Sequence, residues 1–156
     1  MRGSEMATLR LRLSATGFGK VIAVLQGNID RANNLTTPMK QGADLMMESI
    51  ASNFSSGGRP AWVPLSAKYL ARKVAKGYSS TPLTRTGDLK ASIGSEVNSM
   101  GFRLGTSLPY SRIHQKGGNA GRNHASFIPK RPYLVFQESD IEKINQSVVD
   151  YIREGS

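Results

Sequence analysis

Cysteine is absent from the 156 residues, which excludes disulfides, thiolate metal sites and cysteine nucleophiles. Long apolar runs are missing too. The longest, Val21–Leu25, falls far short of the roughly 20 residues that a bilayer-spanning helix needs. No charged-then-apolar leader precedes it, so the chain reads as soluble, non-secreted and without a membrane partner. Aromatic residues make up only 7%, leaving few platforms on which bases can stack. No Gly-x-Ser-x-Gly elbow and no Gly-rich loop before Lys-Ser/Thr occurs, so neither an activated serine nor nucleotide hydrolysis has its usual sequence frame. Carboxylates are nearly missing from the middle of the chain, where Asp88 and Glu96 stand alone between residues 52 and 137.

That same stretch holds thirteen Lys/Arg. The first 51 residues are close to balanced, with six Lys/Arg against four Asp/Glu, and residues 138–156 reverse the sign, with two against five. The total is +10. A basic middle invites a polyanion, usually nucleic acid, bound with steep salt dependence. The alternative is pairing between subunits, an acidic terminal segment on one copy meeting the basic face of the next. At this length the chain fits one domain. Residues 1–5 (MRGSE), ahead of a second Met6, read as a vector-derived leader, and residues 6–156 as a single domain.

Periodicity predicts an α+β fold. Thr8–Ala15 alternates Leu9, Leu11 and Leu13 with Arg10 and Arg12, the period of a half-buried strand. Phe18, Val21, Ile22, Leu25 and Ile29 follow helical spacing. Thr37-Pro38 supplies a cap and a first-turn proline for a second helix, whose stripe is Met39, Ala43, Met46, Met47, Ile50 and Phe54. The short connection predicts a helical hairpin. Ser66 caps a short cationic helix over 67–76, and a further short helix spans 88–92. Ser95–Ser99 and Phe102–Thr106 form a small antiparallel sheet around Met100-Gly101. Ser139-x-x-Glu142 has capping-box form and opens a C-terminal helix with Ile141, Ile144, Val148 and Tyr151/Ile152 on one face.

One segment, Pro109–Tyr133, concentrates polar function. It carries Tyr110, Tyr133, His114, His124, Gly117-Gly118 and five Lys/Arg with no acid. It reads as a loop pinned at its ends with an adaptable, cationic part at Asn119–Phe127, and loops on a rigid scaffold are where binding concentrates. Arg131, between Pro129 and Pro132, is held on a stiffened turn. It can grip a carboxylate or phosphate, or instead pair with Asp88 or a backbone carbonyl of its own chain. Arg85-Thr86-Gly87-Asp88 resembles a turn plus cap, with Thr86 or Asp88 satisfying the first amides of the next helix. Trp62 reads as a core or hinge anchor rather than a stacking platform. His114 reads as hydrogen-bonded to backbone where a regular element becomes loop. Ser111 or Ser126 with His114 and Asp88 would supply the groups of a triad, but without its frame. Two histidines ten residues apart, without neighbouring carboxylates or cysteines, make a poor metal site. These residues predict a non-enzyme with no metal and no cofactor.

Several spaced motifs acquire a common reading. Trp62-x-Pro64-Leu65-Ser66 is followed by Leu83-x-Arg85-Thr86-Gly87-Asp88-Leu89-x-x-Ser92-Ile93. Leu104-Gly105-Thr106 precedes Pro109-Tyr110 and Ile113-His114-Gln115-x-Gly117-Gly118, and Ile128-Pro129-x-Arg131-Pro132-Tyr133-Leu134 leads into the last helix. In order and spacing this resembles the virion morphogenesis family of tailed bacteriophages, the Mu- and P2-type tail-completion or neck proteins. Tyr133 stands where phenylalanine is common in that family, and the 118–127 loop is long and especially polar.

The resemblance implies a structural protein of the virion neck or tail end, present in the host cytoplasm during assembly and acting as a homo-oligomeric ring. Its partners would be a head–tail adaptor or connector, or tail-tube or terminator proteins. A ring needs one patch to meet a different patch on the next copy. The charge map offers Lys68, Arg72, Lys73 and Lys76 against Glu138, Asp140, Glu142, Asp150 and Glu154. Lys116, Gly117, Gly118, Arg122, Lys130 and Arg131 are the candidates for docking a neighbour, with non-specific contact to passing DNA. The competing class is a basic nucleic-acid-binding protein acting outside a virion, although no recognised motif of that class is present.

Overall fold

A computed structural model describes residues 16–154; the predicted Thr8–Ala15 strand and the 1–5 leader lie outside the described residues. The chain forms α1 (Thr16–Asn33), α2 (Thr36–Ser56), α3 (Ala67–Ala75), α4 (Asp88–Ala91), β1 (Gly94–Asn98), β2 (Gly101–Gly105), α5 (Ser111–Lys116), β3 (Gly118–Ala120), β4 (Ser126–Ile128) and α6 (Glu138–Glu154). This is the α+β architecture with a C-terminal helix that the periodicity predicts. Among the described residues it has two separate two-stranded antiparallel sheets, β1–β2 and β3–β4.

The organising element is α2. Its stripe of Met39, Ala43, Met46, Ile50 and Phe54 is buried, and it packs against β1–β2 and against α6. Close approach is built in at Gly42, where an added Cβ would lie 3.0 Å from the Phe102 ring and 3.4 Å from Ile144. Beyond α2, the core gathers Ile50, Phe54, Trp62, Leu89, Ile93 and Tyr133. The Phe54 ring sits edge-on to Trp62 at 5.7 Å and tilted to Tyr133 at 5.6 Å. Each large apolar side chain so buried contributes about 1.5–3 kcal/mol relative to exposure.

A polar latch runs through this core. Asn53, fully buried, donates to the Tyr133 carbonyl at 3.0 Å and accepts from Arg59 Nε at 2.8 Å. Arg59 also donates to the carbonyl and hydroxyl of Ser49, and the Ser49 hydroxyl donates to buried Asp140. Gln137 closes the circuit by donating to the Arg59 carbonyl at 2.8 Å. Every member finds a partner, as buried polar groups must.

Several local expectations are revised. α6 begins at Glu138, ahead of the expected Ser139 cap, and it is Asp140 whose carboxylate accepts from the Gln137 amide. This is the back-reaching half of a capping box, displaced because Asp140 is drawn inward by Ser49. α2 starts at Thr36, with Thr37 and Pro38 inside its first turn; Asn34 rather than Thr37 takes the Thr36 amide, at 3.2 Å. Consecutive α1 and α2 do not close into a packed hairpin. α1 instead meets the end of α6, where Arg31 donates to the carbonyls of Ile152 at 2.9 Å and Arg153 at 3.4 Å. A guanidinium there satisfies orphan carbonyls at a helix C-terminus. Finally, the expected adaptable part, Asn119–Phe127, lies within the β3–β4 hairpin, paired from Gly118↔Ile128 to Ala120↔Ser126.

Candidate functional site

The segment from α5 to Leu134 is built around two clamps. Gln115 accepts from the amides of Tyr133 at 3.0 Å and Leu134 at 3.1 Å and donates to the Leu134 carbonyl at 2.9 Å. The His114 carbonyl accepts from the Arg131 amide at 2.8 Å. At Gly117, with φ 74°, an added Cβ would stand 2.9 Å from the Lys130 nitrogen, so only glycine allows the two backbones to approach so closely. Gly117 and Gly118 are thus half-buried parts of the hairpin base. Lys116, Arg122 and Lys130 are exposed on its flank and tip.

Arg131 is not exposed with them. It is buried, and its guanidinium donates to the carbonyls of Val63 at 2.7 Å and Pro64 at 3.1 Å rather than to Asp88. It ties the 129–134 strap to the segment after Trp62, and its guanidinium donors are engaged inside the chain rather than offered to a partner. Trp62 lies buried beneath, donating to the Pro132 carbonyl at 2.7 Å. Lys73 is withdrawn in the same way. It alone of the α3 cations turns inward, gives its ammonium to the Thr81 carbonyl, and has its pKa lowered by burial. Lys68, Arg72 and Lys76, four residues apart, remain exposed along one face of α3. On α6, Glu138, Glu142 and Glu154 are exposed, Asp150 is half-buried, and Asp140 belongs to the polar latch.

Between α3, the 83–89 turn, α5 and β4 lies a cleft of about 1030 Å³. Tyr69, Arg85, Asp88, Tyr110, His114 and Ser126 line it, and Phe127, 72% exposed, stands at its rim. Arg85 stacks over the Tyr78 ring at 5.2 Å. Gly87 is the N-cap of α4, and neither Thr86 nor Asp88 caps its amides; the Thr86 hydroxyl donates instead to the Asp88 carboxylate at 2.6 Å. The cleft therefore brings Ser126, His114 and Asp88 to one place without linking them. His114 Nδ1 is buried with no hydrogen-bond partner. The ring stands edge-on to Tyr110 at 5.9 Å, and burial together with Arg131 lowers its pKa. The expected side-chain bond from His114 to backbone is replaced by the bond its carbonyl makes. Among the described residues no group of three His, Asp or Glu could hold a metal ion, and no helix is long and apolar enough to cross a membrane.

A second surface escaped the reading of the sequence. The described part of the stripe on α1 is bare: Val21, Ile22, Leu25 and Ile29 are 53–62% exposed. A smaller groove of about 280 Å³ lies elsewhere, between Met39, Phe102, Phe136, Ile141 and Ile144. The signal available in the sequence was the stripe itself; the α2 stripe expected to cover it packs instead against β1–β2 and α6.

Comparison with known proteins gives these surfaces a context. Residues 18–153 match the model of the phage virion morphogenesis family. A protein of Haemophilus influenzae, Mu-like prophage FluMu G protein 2, is 41% identical over 115 residues, which cover 74% of this chain and 76% of that protein. No solved structure matches.

Proposed function

This chain belongs to the phage virion morphogenesis family, and from that membership we propose that it is a non-enzymatic structural protein that completes the tail or joins it to the head at the neck. In this reading it works as a ring of identical subunits. The observation that carries it is the separation of exposed charge onto two elements of one chain. Lys68, Arg72 and Lys76 form a cationic row on α3, while Glu138 and Glu142 form an acidic row on α6. Unlike patches on one molecule suit the head-to-tail contact from which rings are made. Single exposed pairs contribute only about 0.2–1 kcal/mol each, so a row acts mainly by setting register and excluding wrong contacts.

The hairpin would meet a different partner, an adaptor or connector ring on the head side or a tail-tube or terminator protein. Lys116, Arg122 and Lys130 present its charge, which also suits non-specific contact with DNA passing through the neck.

The pairing of α3 with α6 is tested by Lys68→Glu with Arg72→Glu. Both positions are exposed, so circular dichroism and melting should be unchanged. Mass photometry should show the ring lost, and unjoined heads and tails should accumulate in infected cells. Rings of unaltered size would reject this interface, and full infectivity of particles lacking the protein would reject the assembly role itself.

A further inference from the structure

Helix α1 is attached to the molecule by its polar side. Gly27, Asn28 and Arg31 are half-buried, and Arg31 bonds both to the end of α6 and to Asn28 Oδ1 at 2.6 Å. Val21, Ile22, Leu25 and Ile29 lie on a different face, about 130° round the helix at 3.6 residues per turn. Every residue from Gly19 to Gln26 is exposed. An amphipathic helix ordinarily turns its apolar stripe inward; this one turns it out. The stripe presents on the order of 400 Å² of aliphatic surface, as large as the largest patch that a monomer ordinarily leaves bare.

The same chain has an apolar hollow that α1 does not fill. The groove against the first half of α6 has Met39, Phe102 and Ile144 as its floor. Its rim is Phe136, 53% exposed, and Ile141, 45% exposed, with Met100, 75% exposed, next to Gly101. Arg31 pins α1 to residues 152 and 153, at the opposite end of α6 from Ile141, and no α1 residue lines the groove. The stripe and the hollow therefore do not meet within one molecule.

We infer that the outward face of α1 docks into the Met39–Phe102–Phe136–Ile141–Ile144 groove of a second copy of this chain. Leu25 and its neighbours on the stripe are the knobs and the groove is the hole, as where helices interlock. Charge agrees with the fit. Lys20 is the sole charged residue of α1 before Asp30, and Glu138 and Glu142 stand exposed on either side of Ile141 along α6. The area is of the right order, since the stripe supplies about half of the ~800 Å² per partner in a standard interface, with charged pairs at its rim. Stripe and groove are different surfaces of one chain, so the contact repeats head to tail. The inference deepens the ring reading and rests on it for closure; the contact itself needs only two copies.

The absence of cysteine makes a clean test. Purified Leu25→Cys/Ile141→Cys protein should oxidise to a ladder of covalent oligomers, while either single variant should not. Ile22→Glu with Leu25→Glu, at positions exposed in the monomer, should keep the melting curve and weaken self-association at least 100-fold by light scattering. Cross-linking of Leu25→Cys to itself would mean two-fold pairing of α1 and would overturn the inference. So would an intrachain bond between Leu25→Cys and Leu11→Cys, showing that the N-terminal segment covers the stripe. A wild-type chain that stays monomeric at all concentrations, or a Glu variant that assembles normally, would overturn it too. Failure of the ladder in a protein that still finishes tails sinks the contact alone. A correct ladder in a protein absent from particles sinks the tail reading instead.

Discussion

His114 shows how a single side chain reports its surroundings. Its Nδ1 has neither water access nor a partner, a state that costs free energy in either protonation form and more when charged. Burial and the Arg131 charge lower its pKa from the ordinary 6.5. The sign follows. The unfolded chain takes up the proton first, so stability is full above the unfolded value and is lost as pH falls below it. We expect the melting temperature to drop as pH is lowered from about 6.5 and His114→Phe to flatten that slope. Since Phe removes the unpaired nitrogen and can keep the edge-on contact with Tyr110, its melting point at neutral pH should equal or exceed wild type. An unchanged pH slope in the variant would exclude His114 as the titrating group. Asn53 is the opposite case, a buried polar side chain fully used. Asn53→Ala strands Arg59 Nε and the Tyr133 carbonyl and should cost about 2–3 kcal/mol by urea denaturation. A loss below 0.5 kcal/mol, on the order of an ordinary surface substitution, would show that water replaces the latch.

At the level of elements, local pattern was legible where both partners lie close in sequence. The β1–β2 hairpin falls within one residue of its expected bounds, and Ser66 caps α3 by accepting from Tyr69 at 3.4 Å. α6 keeps Ile144, Val148, Tyr151 and Ile152 half-buried on one side. Elements with weak or mixed pattern were harder. β3 and β4 are three residues each, rich in Gly, Asn and Ser, and too short to show a period of two. Their pairing is made by the clamp that Gly117 and Gln115 provide at the base. This predicts which part of the hairpin can be changed. Replacing residues 121–125 by Asn-Gly, a turn suited to two-residue hairpins, should preserve β3–β4 pairing, thermal stability and self-association. The change should nevertheless block joining of heads to tails, because Arg122 and the tip are gone. Normal infectious titre from that variant would show that the tip docks nothing.

At the scale of the whole molecule, composition and spacing alone determined much. The alternations and stripes gave the α+β class and the C-terminal helix, because secondary-structure periods are properties of neighbouring residues. The ordered Trp62, Arg85–Ile93 and Pro129–Leu134 motifs gave the family, to which residues 18–153 indeed match. What the sequence could not assign was which charges face water. Lys73, Arg131 and Asp140 look in the sequence like members of exposed charged sets, yet each is buried by partners 8, 68 and 91 residues away. Likewise the stripe on α1 announces a helix without saying what covers it. Periodicity records that an apolar face exists, whereas its burial depends on which other surface the fold brings opposite. Only the tertiary structure decided that, engaging Arg131 and Lys73 inside the chain and leaving the apolar face of α1 exposed.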